Sequence, residues 1–358
     1  MNVLELTRLG VHHFRNAIAE EIYLRTGRDM TVPVAIYGEV IERCNYKCRY
    51  CEYWRRPHYR DDMSIDDWKR ALLDLKDFIG HFHIEFSGGE PYIKKDFIDL
   101  IVFCGEQGLK WGVTTNGGAF RNEKVADRTV AAKPFNINIS IDSHVAEIHD
   151  YSRGIANSLS DIVAGIGNVA RARTNYGQDF PIIVKAVVHK LNFRRLPELV
   201  EWARDIGATA VNFQPVEQHT EEAKDEFWID PGELDDLIEV KDRLIEMRRG
   251  GAPILNSELL LNLWPNHFRR EKAPREVMPC RVGMRNFFIR CDGRVEVCWN
   301  FPSIGNVRTQ TAREIWHGKD GAQRRKETLA CETLCLFTCL SQKKLSDKIA
   351  MGLKLIGS

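Results

Sequence analysis

The strongest constraint on the fold is a regular alternation of strand-like and helix-like segments over residues 32–216. Short apolar segments rich in β-branched residues are separated by amphipathic segments with helical spacing. The strand-like segments cover 32–41, 81–87, 109–115, 135–142, 181–189 and 209–216. This alternation is typical of parallel βαβ units with right-handed connections. It predicts an α/β fold: a partial (β/α)6 TIM-like barrel, followed by a small cysteine-rich α+β domain.

Polar or glycine-rich residues follow the predicted strands at their carboxyl ends. They are Cys44–Cys51, Gly88–Glu90, Asn116, Ser140 with Asp142, Lys185 and Gln214. In a barrel of parallel strands, the carboxyl ends open onto one face, and that face holds the active site. We therefore expect one shared site. Lys185 and Gln214 are the candidates for catalytic contact with a substrate, and His189 lies near them in the sequence.

The pattern changes on both sides of the predicted barrel. The N-terminal segment predicts an amphipathic helix with Val11, Phe14, Ile18 and Ile22 on one apolar stripe. The C-terminal end has a short basic amphipathic pattern. We expect it to pack on the protein, with peripheral membrane contact as the alternative. The predicted domains are an N-terminal amphipathic helix (1–31), the barrel (32–216), a helical linker (217–275), the cysteine-rich domain (276–342) and a C-terminal amphipathic helix (343–358).

Charge and hydropathy exclude several classes of protein. The 51 Lys and Arg residues balance the 50 Asp and Glu residues, so no strong positive field would attract nucleic acid. No stretch approaches the roughly 18 uninterrupted apolar residues of a membrane-spanning helix. The first residues contain no continuous apolar segment of the kind that a secretory signal needs. We therefore expect a cytoplasmic protein.

The ten cysteines are unevenly distributed. Cytoplasmic thiols are kept reduced, so clustered cysteines indicate metal or redox ligands rather than disulfides. Cys44, Cys48 and Cys51 form one group, and Cys104 stands alone as a candidate core residue. Six more lie toward the end of the chain: Cys280, Cys291, Cys298, Cys331, Cys335 and Cys339.

The first group has the spacing Cys-x3-Cys-x2-Cys, directly after the first predicted strand. Three thiolates can hold three irons of a [4Fe–4S] cluster and leave the fourth iron open. A structural zinc site is the alternative. Zinc, however, requires four protein ligands, and no fourth candidate lies near Cys51 in the sequence.

This group resembles the signature of the radical S-adenosylmethionine (SAM) superfamily, Cys-x3-Cys-x-aromatic-Cys, with Tyr50 in the aromatic position. The resemblance extends over residues 34–216. Further motifs of the family occur in the expected order: Gly-Gly-Glu-Pro at 88–91, Thr-Asn-Gly at 115–117, Ser-x-Asp at 140–142 and His-Asp-x2-Arg-Gly at 149–154. Their position after successive predicted strands makes the resemblance specific.

The resemblance implies a cluster whose open iron binds SAM and whose reduction cleaves SAM to methionine and a 5′-deoxyadenosyl radical. Glu90 would accept a hydrogen bond from the amino group of SAM, and Gly88 and Gly89 would allow a close backbone approach. Tyr50 would border the adenine, largely through its backbone. A flavodoxin- or ferredoxin-type protein is the expected electron donor.

The remaining implied SAM contacts come from later strand ends. Ser140 would reach the ribose or carboxylate region, and Arg153 would pair with the carboxylate. Asn116 and Asp142 complete the set. Structural alternatives stay open for three of these acidic and amide residues: Glu90 could cap a helix, Asn116 could serve a turn and Asp142 could be structural.

The C-terminal cysteines resemble the start of the SPASM and twitch extensions of radical SAM enzymes. Cys280 is followed by twelve residues, Gly293, four residues and Cys298, with Gly293 as the predicted hairpin turn. The full SPASM pattern has more cysteines than the three that remain. We therefore predict one auxiliary [4Fe–4S] cluster, held by Cys280, Cys298 and two of Cys291, Cys331, Cys335 and Cys339. An additional, incompletely ligated cluster and a zinc site are the alternatives.

The resemblance implies an enzyme that abstracts hydrogen from its substrate, with an oxidation or rearrangement as the net reaction. About 30 residues precede the first predicted strand, fewer than a folded leader-peptide-binding domain requires. We therefore expect a small-molecule or lipid-linked biosynthetic substrate. A peptide-modifying (RiPP-type) maturase is the alternative, and a non-catalytic iron–sulfur or zinc scaffold is a remote one. The sequence does not indicate an oligomeric state.

Overall fold

The computed structural model describes residues 3–56, 61–274 and 279–336, with side chains from residue 9 onward. The strands are β1 (Ala35–Ile41), β2 (His83–Gly88), β3 (Lys110–Thr115), β4 (Asn136–Ser140), β5 (Ile182–Val188), β6 (Ala210–Pro215), β7 (Asn286–Ile289), β8 (Arg294–Glu296) and β9 (Gly305–Asn306). The helices of the barrel region are α1 (Val3–Thr26), α2 (Ile65–Ile79), α3 (Phe97–Glu106), α4 (Glu123–Ala131), α5 (Ala146–Arg153), α6 (Ser158–Asn175) and α7 (Leu196–Asp205). The later helices are α8 (Glu221–Asp225), α9 (Leu234–Arg249), α10 (Glu258–Asn262), α11 (Trp264–Phe268), α12 (Ala312–His317) and α13 (Lys319–Ala330).

The chain divides into two compact units. The first unit contains residues 1–43, 57–113 and 274–333, and the second contains 44–56, 114–273 and 334–358. All six predicted barrel strands are present as β1–β6. Where strands pair within a unit, β1–β2, β2–β3, β4–β5 and β5–β6 are parallel. The predicted α/β class is therefore confirmed.

In the first unit, a strand from the cysteine-rich region joins the sheet of the barrel region. β7 pairs in parallel with β1, with Ala35 opposite Asn286. The β7–β8 hairpin is antiparallel, and its turn residue Gly293 has φ of +87°, as predicted. The compact units thus group residues differently from the predicted domain boundaries, because β7 forms backbone hydrogen bonds with β1. Those boundaries stay predictions.

The buried face of α1 is not its apolar stripe. Val11, Phe14 and Ile18 are exposed, Phe14 by 53%. The buried face instead carries Glu20, whose carboxylate forms a bidentate pair with Arg285, with both distances 2.6 Å. A buried charge of this kind must be paired, so helix orientation follows the ion pair rather than the apolar stripe. The predicted C-terminal helix lies outside the described residues.

In the second unit, the segment predicted as a helical linker covers the edge of β6. Leu255 N–H donates to the Val211 carbonyl at 2.9 Å. The buried Asn256 side chain bonds both backbone groups of Phe213: Oδ1 accepts from the N–H and Nδ2 donates to the carbonyl, each at 2.8 Å. An amide side chain therefore replaces the missing neighbouring strand. This contact holds the end of β6, where Gln214 lies.

The helices of the described ranges also bear on membrane association. None of them is both long enough and apolar enough to cross a bilayer. The longest, α1, carries charged residues along its length and buries a glutamate. The described helices therefore provide no transmembrane anchor.

We predict that Asn256→Ala destabilises the second unit. The substitution leaves the N–H and the carbonyl of Phe213 buried without their partner, at a cost of roughly 1–3 kcal/mol for each group. Urea denaturation followed by circular dichroism measures the loss. Asn262→Ala is the matched control, because Asn262 is exposed and accepts one surface hydrogen bond from Lys241. Equal stability of the two variants would contradict the assigned role of Asn256.

Candidate active site

The turn after β2 runs against the backbone at the end of β1. Gly89 N–H donates to the Ile41 carbonyl at 2.8 Å. A Cβ atom on Gly88 would lie 2.2 Å from the Ile41 oxygen, and one on Gly89 would lie 2.0 Å from the Arg43 oxygen. Both positions therefore require glycine for steric reasons. The turn fixes the backbone that leads into Cys44.

Glu90 is buried directly after these glycines. Its N–H donates to the Arg43 carbonyl at 2.9 Å. Its carboxylate accepts from Tyr92 N–H at 3.1 Å and caps the short 3-10 turn Pro91–Ile93. The capping alternative is therefore realised in the structure. A carboxylate can accept several hydrogen bonds, so the contact with the amino group of SAM stays a prediction.

The cysteine loop, residues 44–51, lies in the second unit on the C-terminal end of α5. Arg49 N–H donates to the Ser152 carbonyl at 3.0 Å. Gly154 ends α5 with φ of +66°, and a Cβ atom there would lie 2.3 Å from the Lys47 oxygen. The glycine of the His-Asp-x2-Arg-Gly motif thus has a local reason: it permits the loop to contact the helix end.

The three thiols of this loop suit a metal cluster. The described cysteines are all free thiols, and Cys48 is buried while Cys44 and Cys51 are half-buried. Burial raises the pKa of Cys48 to about 12 and also raises the pKa of Cys51. Such thiols lose their protons only to a bound metal, whose charge compensates the thiolates. The donor set therefore fits the predicted three-cysteine [4Fe–4S] cluster.

A buried network centred on Asp142 lies beside the loop. The Asp142 side chain is 0% exposed. Arg153 Nη2 donates to its Oδ1 at 2.7 Å, Tyr50 OH donates to its Oδ2 at 2.6 Å, and Val187 N–H donates to Oδ1 at 2.9 Å. Arg153 Nη1 also points to the Cys48 sulfur at 4.0 Å. The network therefore joins the ends of β4, α5 and β5 to the cysteine motif.

The electrostatics of this network are dominated by one ion pair. Burial alone would raise the pKa of Asp142, but Arg153, the neighbouring histidines and the Tyr50 hydrogen bond together hold that pKa below its usual value. Burial lowers the pKa of both His149 and His189 to about 4, so both imidazoles are neutral at physiological pH. His149 then accepts from Asp142 N–H through Nδ1 at 3.2 Å. With both histidines neutral, the charged side chains of the network are Asp142 and Arg153, which form an ion pair.

These contacts bear on three predicted SAM ligands. The side chains of Asp142 and Arg153 are bonded to each other, in agreement with the structural alternative for Asp142. The Tyr50 hydroxyl is likewise bonded within the protein. SAM contact by these three residues stays a prediction. The sequence motifs did not reveal that they bind one another, because the partner of a buried charge depends on the tertiary structure.

Asn116 connects the turn after β3 to the cysteine loop. Its Nδ2 donates to Asn45 Oδ1 at 2.9 Å, and its Oδ1 accepts from Gly118 N–H at 3.0 Å. Gly117, between them, has φ of +82°, a conformation that glycine favours. The turn alternative for Asn116 is therefore realised, with an added contact to the loop. A role in SAM binding stays a prediction.

The remaining predicted residues lie on β4, β5 and β6: Ser140 ends β4 and Gln214 is next to the end of β6, but Lys185 lies in the middle of β5 rather than at its end. Ser140 is opposite Lys185, and Val187 is opposite Gln214. The side chains of Ser140, Lys185 and Gln214 are half-buried. Parallel register therefore places these residues on neighbouring strands of the second unit, and their catalytic or SAM-binding roles stay predictions.

Sequence reasoning missed Glu217, in the loop after β6. Burial raises its pKa to about 7, so it can exchange a proton near neutral pH. The same loop contacts the cysteine loop, since Thr220 Oγ1 donates to the Arg49 carbonyl at 3.0 Å. Its position three residues beyond Gln214 was the available signal.

The described C-terminal cysteines do not all share one environment. Cys280 and Cys331 interact electrostatically, and Cys298 is buried in the same unit. Cys331 directly follows α13 in extended conformation, so a shared helical face for residues 331–339 does not begin there. Cys335 groups with the second unit, and Cys339 lies outside the described residues.

Cys291, a further predicted cluster ligand, lies among carboxylates. Its sulfur and carboxylate oxygens of Glu39 and Glu42 lie within 4.8 Å of one another. Burial, followed by the charges of nearby acidic residues including Asp62, raises the pKa of Cys291. Neighbouring negative charge opposes a thiolate cluster. These surroundings favour Cys280, Cys298 and Cys331 over Cys291 as ligands.

Two family models match the chain. The model of the Radical SAM superfamily matches residues 39–207, and that of the SPASM iron-sulfur cluster-binding domain matches residues 280–340. The chain belongs to the radical SAM superfamily. It is a radical SAM enzyme that uses SAM and [4Fe–4S] clusters and carries a SPASM domain.

Curated relatives cover most of this radical SAM enzyme. PqqA peptide cyclase from Bradyrhizobium diazoefficiens is 24% identical over 72% of this chain and 69% of the relative. AdoMet-dependent heme synthase from Methanosarcina barkeri is 25% identical over 80% of this chain and 83% of the relative.

Solved structures share the fold. Streptococcus suis SuiB bound to S-adenosylmethionine superposes with a TM-score of 0.65 at 18% identity, over 82% of this chain and 68% of SuiB. SuiB bound to its precursor peptide SuiA gives a TM-score of 0.63 at 17% identity, over 82% and 66%. The predicted fold, a partial barrel with a cysteine-rich C-terminal domain, is thereby confirmed.

We predict that Gly89→Ala disrupts the turn after β2. The new Cβ atom would lie 2.0 Å from the Arg43 oxygen, so the backbone must shift, at a cost of roughly 1–3 kcal/mol for overpacking. Denaturation and equilibrium binding of SAM measure the loss of stability and affinity. Gly167→Ala in α6 is the control, because a Cβ atom there meets nothing within 4 Å. Wild-type SAM affinity in Gly89→Ala would contradict this steric role.

We further predict that auxiliary iron depends on Cys280 and Cys298 but not on Cys291. Cys280→Ala and Cys298→Ala should each lose the iron and sulfide of one cluster per chain after anaerobic reconstitution. Cys291→Ala is the matched control and should keep them, since acidic side chains surround that thiol. Iron and sulfide analysis with Mössbauer spectroscopy measures the difference. An equal loss in Cys291→Ala would assign Cys291 to the cluster.

Proposed function

We propose that this radical SAM enzyme is a maturase that modifies a peptide substrate. The observation that carries the proposal is the alignment with PqqA peptide cyclases, which spans 72% and 83% of this chain for two of them. The fold it shares with SuiB, which was solved with a precursor peptide, also supports it. The small-molecule or lipid-linked substrate expected from the sequence has less support, and the peptide alternative fits better.

The proposed mechanism assigns each group of residues a task. The thiolates of Cys44, Cys48 and Cys51 would hold the cluster, which when bound would supply the electron for reductive cleavage of SAM to a hydrogen-abstracting 5′-deoxyadenosyl radical. Glu90 orients SAM by accepting a hydrogen bond from its amino group. The glycine turn before Glu90 keeps that carboxylate in place. A flavodoxin- or ferredoxin-type protein is the proposed donor that reduces the cluster.

The substrate side of the proposal involves β5, β6 and the loop after β6 in the second unit. Lys185, in the middle of β5, and Gln214, next to the end of β6, present half-buried polar groups. Glu217 has a pKa of about 7, because burial disfavours its charged form. It can therefore take up or release the substrate proton that accompanies a net oxidation. We assign Lys185 and Gln214 to substrate binding and Glu217 to proton transfer.

A small-molecule substrate is the second candidate. The relative from Methanosarcina barkeri, an AdoMet-dependent heme synthase by name, aligns over 80% of this chain at 25% identity. Its identity is similar to that of the peptide cyclases, so the substrate class requires a direct test. A non-catalytic scaffold has no support, because the chain is an enzyme of the superfamily.

The test uses 5′-deoxyadenosine as the readout of substrate engagement. The reconstituted, reduced enzyme is given SAM and extract fractions from the source organism, each with or without prior protease digestion. We expect at least one fraction to raise 5′-deoxyadenosine formation severalfold above the rate without substrate, and protease to abolish that increase. An increase that survives protease digestion would overturn the peptide proposal in favour of a small molecule.

Two variants separate the substrate question from the enzyme itself. The triple variant Cys44→Ala, Cys48→Ala, Cys51→Ala should form no 5′-deoxyadenosine with any fraction. Cys104→Ala is its matched control and should retain activity, because Cys104 is buried in α3 and its pKa is raised by burial alone. Activity in the triple variant would show that these thiols do not hold the catalytic cluster.

A further inference from the structure

We propose that Arg153, held in place by Asp142, is a positioning residue that raises the reduction potential of the SAM-binding cluster through Cys48. The inference rests on the assignment of that cluster to the cysteine loop, and it adds a function for Arg153 that differs from SAM carboxylate binding. It concerns the second unit alone.

The two ends of the guanidinium face different partners. Nη2 donates to Asp142 Oδ1 at 2.7 Å, whereas Nη1 lies 4.0 Å from the Cys48 sulfur. The guanidinium therefore lies between the carboxylate and the thiol, with its charge on the side of Cys48. The Arg153 side chain is 8% exposed, so water screens this charge little.

Asp142 does not use all the N–H groups of Arg153, so others are available to donate to a cluster. A guanidinium has five N–H groups, and the carboxylate uses one of them at hydrogen-bonding distance. Within the described ranges, the buried Arg153 Nε has no hydrogen-bond partner. A buried donor without a partner is costly, and the sulfur atoms of a cluster held at Cys48 would be acceptors for it. The arrangement thus fits a cluster bound at Cys48.

Tyr50, the aromatic residue of the cysteine motif, also binds Asp142. Tyr50 lies between Cys48 and Cys51 in the sequence, and its hydroxyl donates to Asp142 Oδ2 at 2.6 Å. The Tyr50 ring lies 5.7 Å from the guanidinium carbon of Arg153. Both carboxylate oxygens of Asp142 therefore accept hydrogen bonds, Oδ1 from Arg153 and Oδ2 from Tyr50. Tyr50, in the aromatic position of the motif, thus connects the cysteine loop through Asp142 to Arg153.

The effect on the cluster follows from the added electron. Reduction makes a cluster and its thiolates more negative, so a fixed positive charge nearby stabilises the reduced form. Asp142 opposes this effect, but Arg153 lies between it and Cys48. Removal of the pair should therefore lower the potential, and removal of Asp142 alone should raise it. The opposite signs distinguish charge from a general structural disturbance.

The experiment is a redox titration of the cluster, followed by electron paramagnetic resonance in the full-length protein. The signal titrated is the one that changes on addition of SAM, which separates this cluster from an auxiliary one. In the charge-neutral variant Arg153→Met/Asp142→Asn, we expect the equilibrium constant for reduction to fall at least tenfold, about 59 mV for one electron. Arg153→Lys keeps the charge and should retain a potential close to that of the wild type.

Asp142→Asn is the second decisive variant. It keeps Arg153 and should raise the potential, even if the double variant assembles too little cluster to titrate. An unchanged or lower potential in Asp142→Asn, or an unchanged potential in an iron-loaded double variant, would overturn the inference. Cys48→Ala tests the underlying assignment separately: a SAM-sensitive signal that persists in it would remove the cluster from this loop, whatever Arg153 does.

Discussion

The buried ion pair between Asp142 and Arg153 is the interaction on which the cofactor-binding part of the second unit depends. It joins the end of β4 to the end of α5, and Tyr50 attaches the cysteine loop to it. Loss of one partner from such a pair leaves an isolated buried charge, which typically costs about 3–5 kcal/mol. The loop, whose own backbone forms no regular element, is therefore held by charge and hydrogen bonds as well as by the burial of Tyr46 and Tyr50.

Close backbone contacts are the second means by which the cofactor-binding segments are positioned. In the first unit, Gly88 and Gly89 let the turn after β2 touch the end of β1. In the second unit, Gly154 lets α5 touch the cysteine loop. These glycines lie in motifs that also carry a polar residue, Glu90 or Arg153. Each motif thus contains a glycine that permits a close backbone contact and a polar residue that serves the chemistry. The backbone contact at the glycine fixes the position of the polar side chain.

Much of the fold could be predicted from the sequence because its signals are local. Strand-like segments, strand-end motifs and the Asp-Gly turn at Gly293 depend on neighbouring residues only. The orientation of α1 could not be predicted in this way, because Glu20 is buried by Arg285, a partner far away in the chain. The cysteine spacing likewise indicated a cluster, but it did not reveal that Tyr50 binds Asp142. The partner of a buried polar residue is determined by the tertiary structure, not by its neighbours in the sequence.

The pairing of β7 with β1 has a consequence for synthesis of the chain. Glu39 in β1 and Arg290, which follows β7, form an ion pair although 251 residues separate them. A ribosome therefore completes β1 and its neighbour β2 long before β7 exists. During that interval β1 has an unpaired edge, the kind of surface through which nascent chains aggregate or engage chaperones. The SPASM region thus has a structural role besides any role in cluster binding, because it supplies the strand that closes this edge of β1.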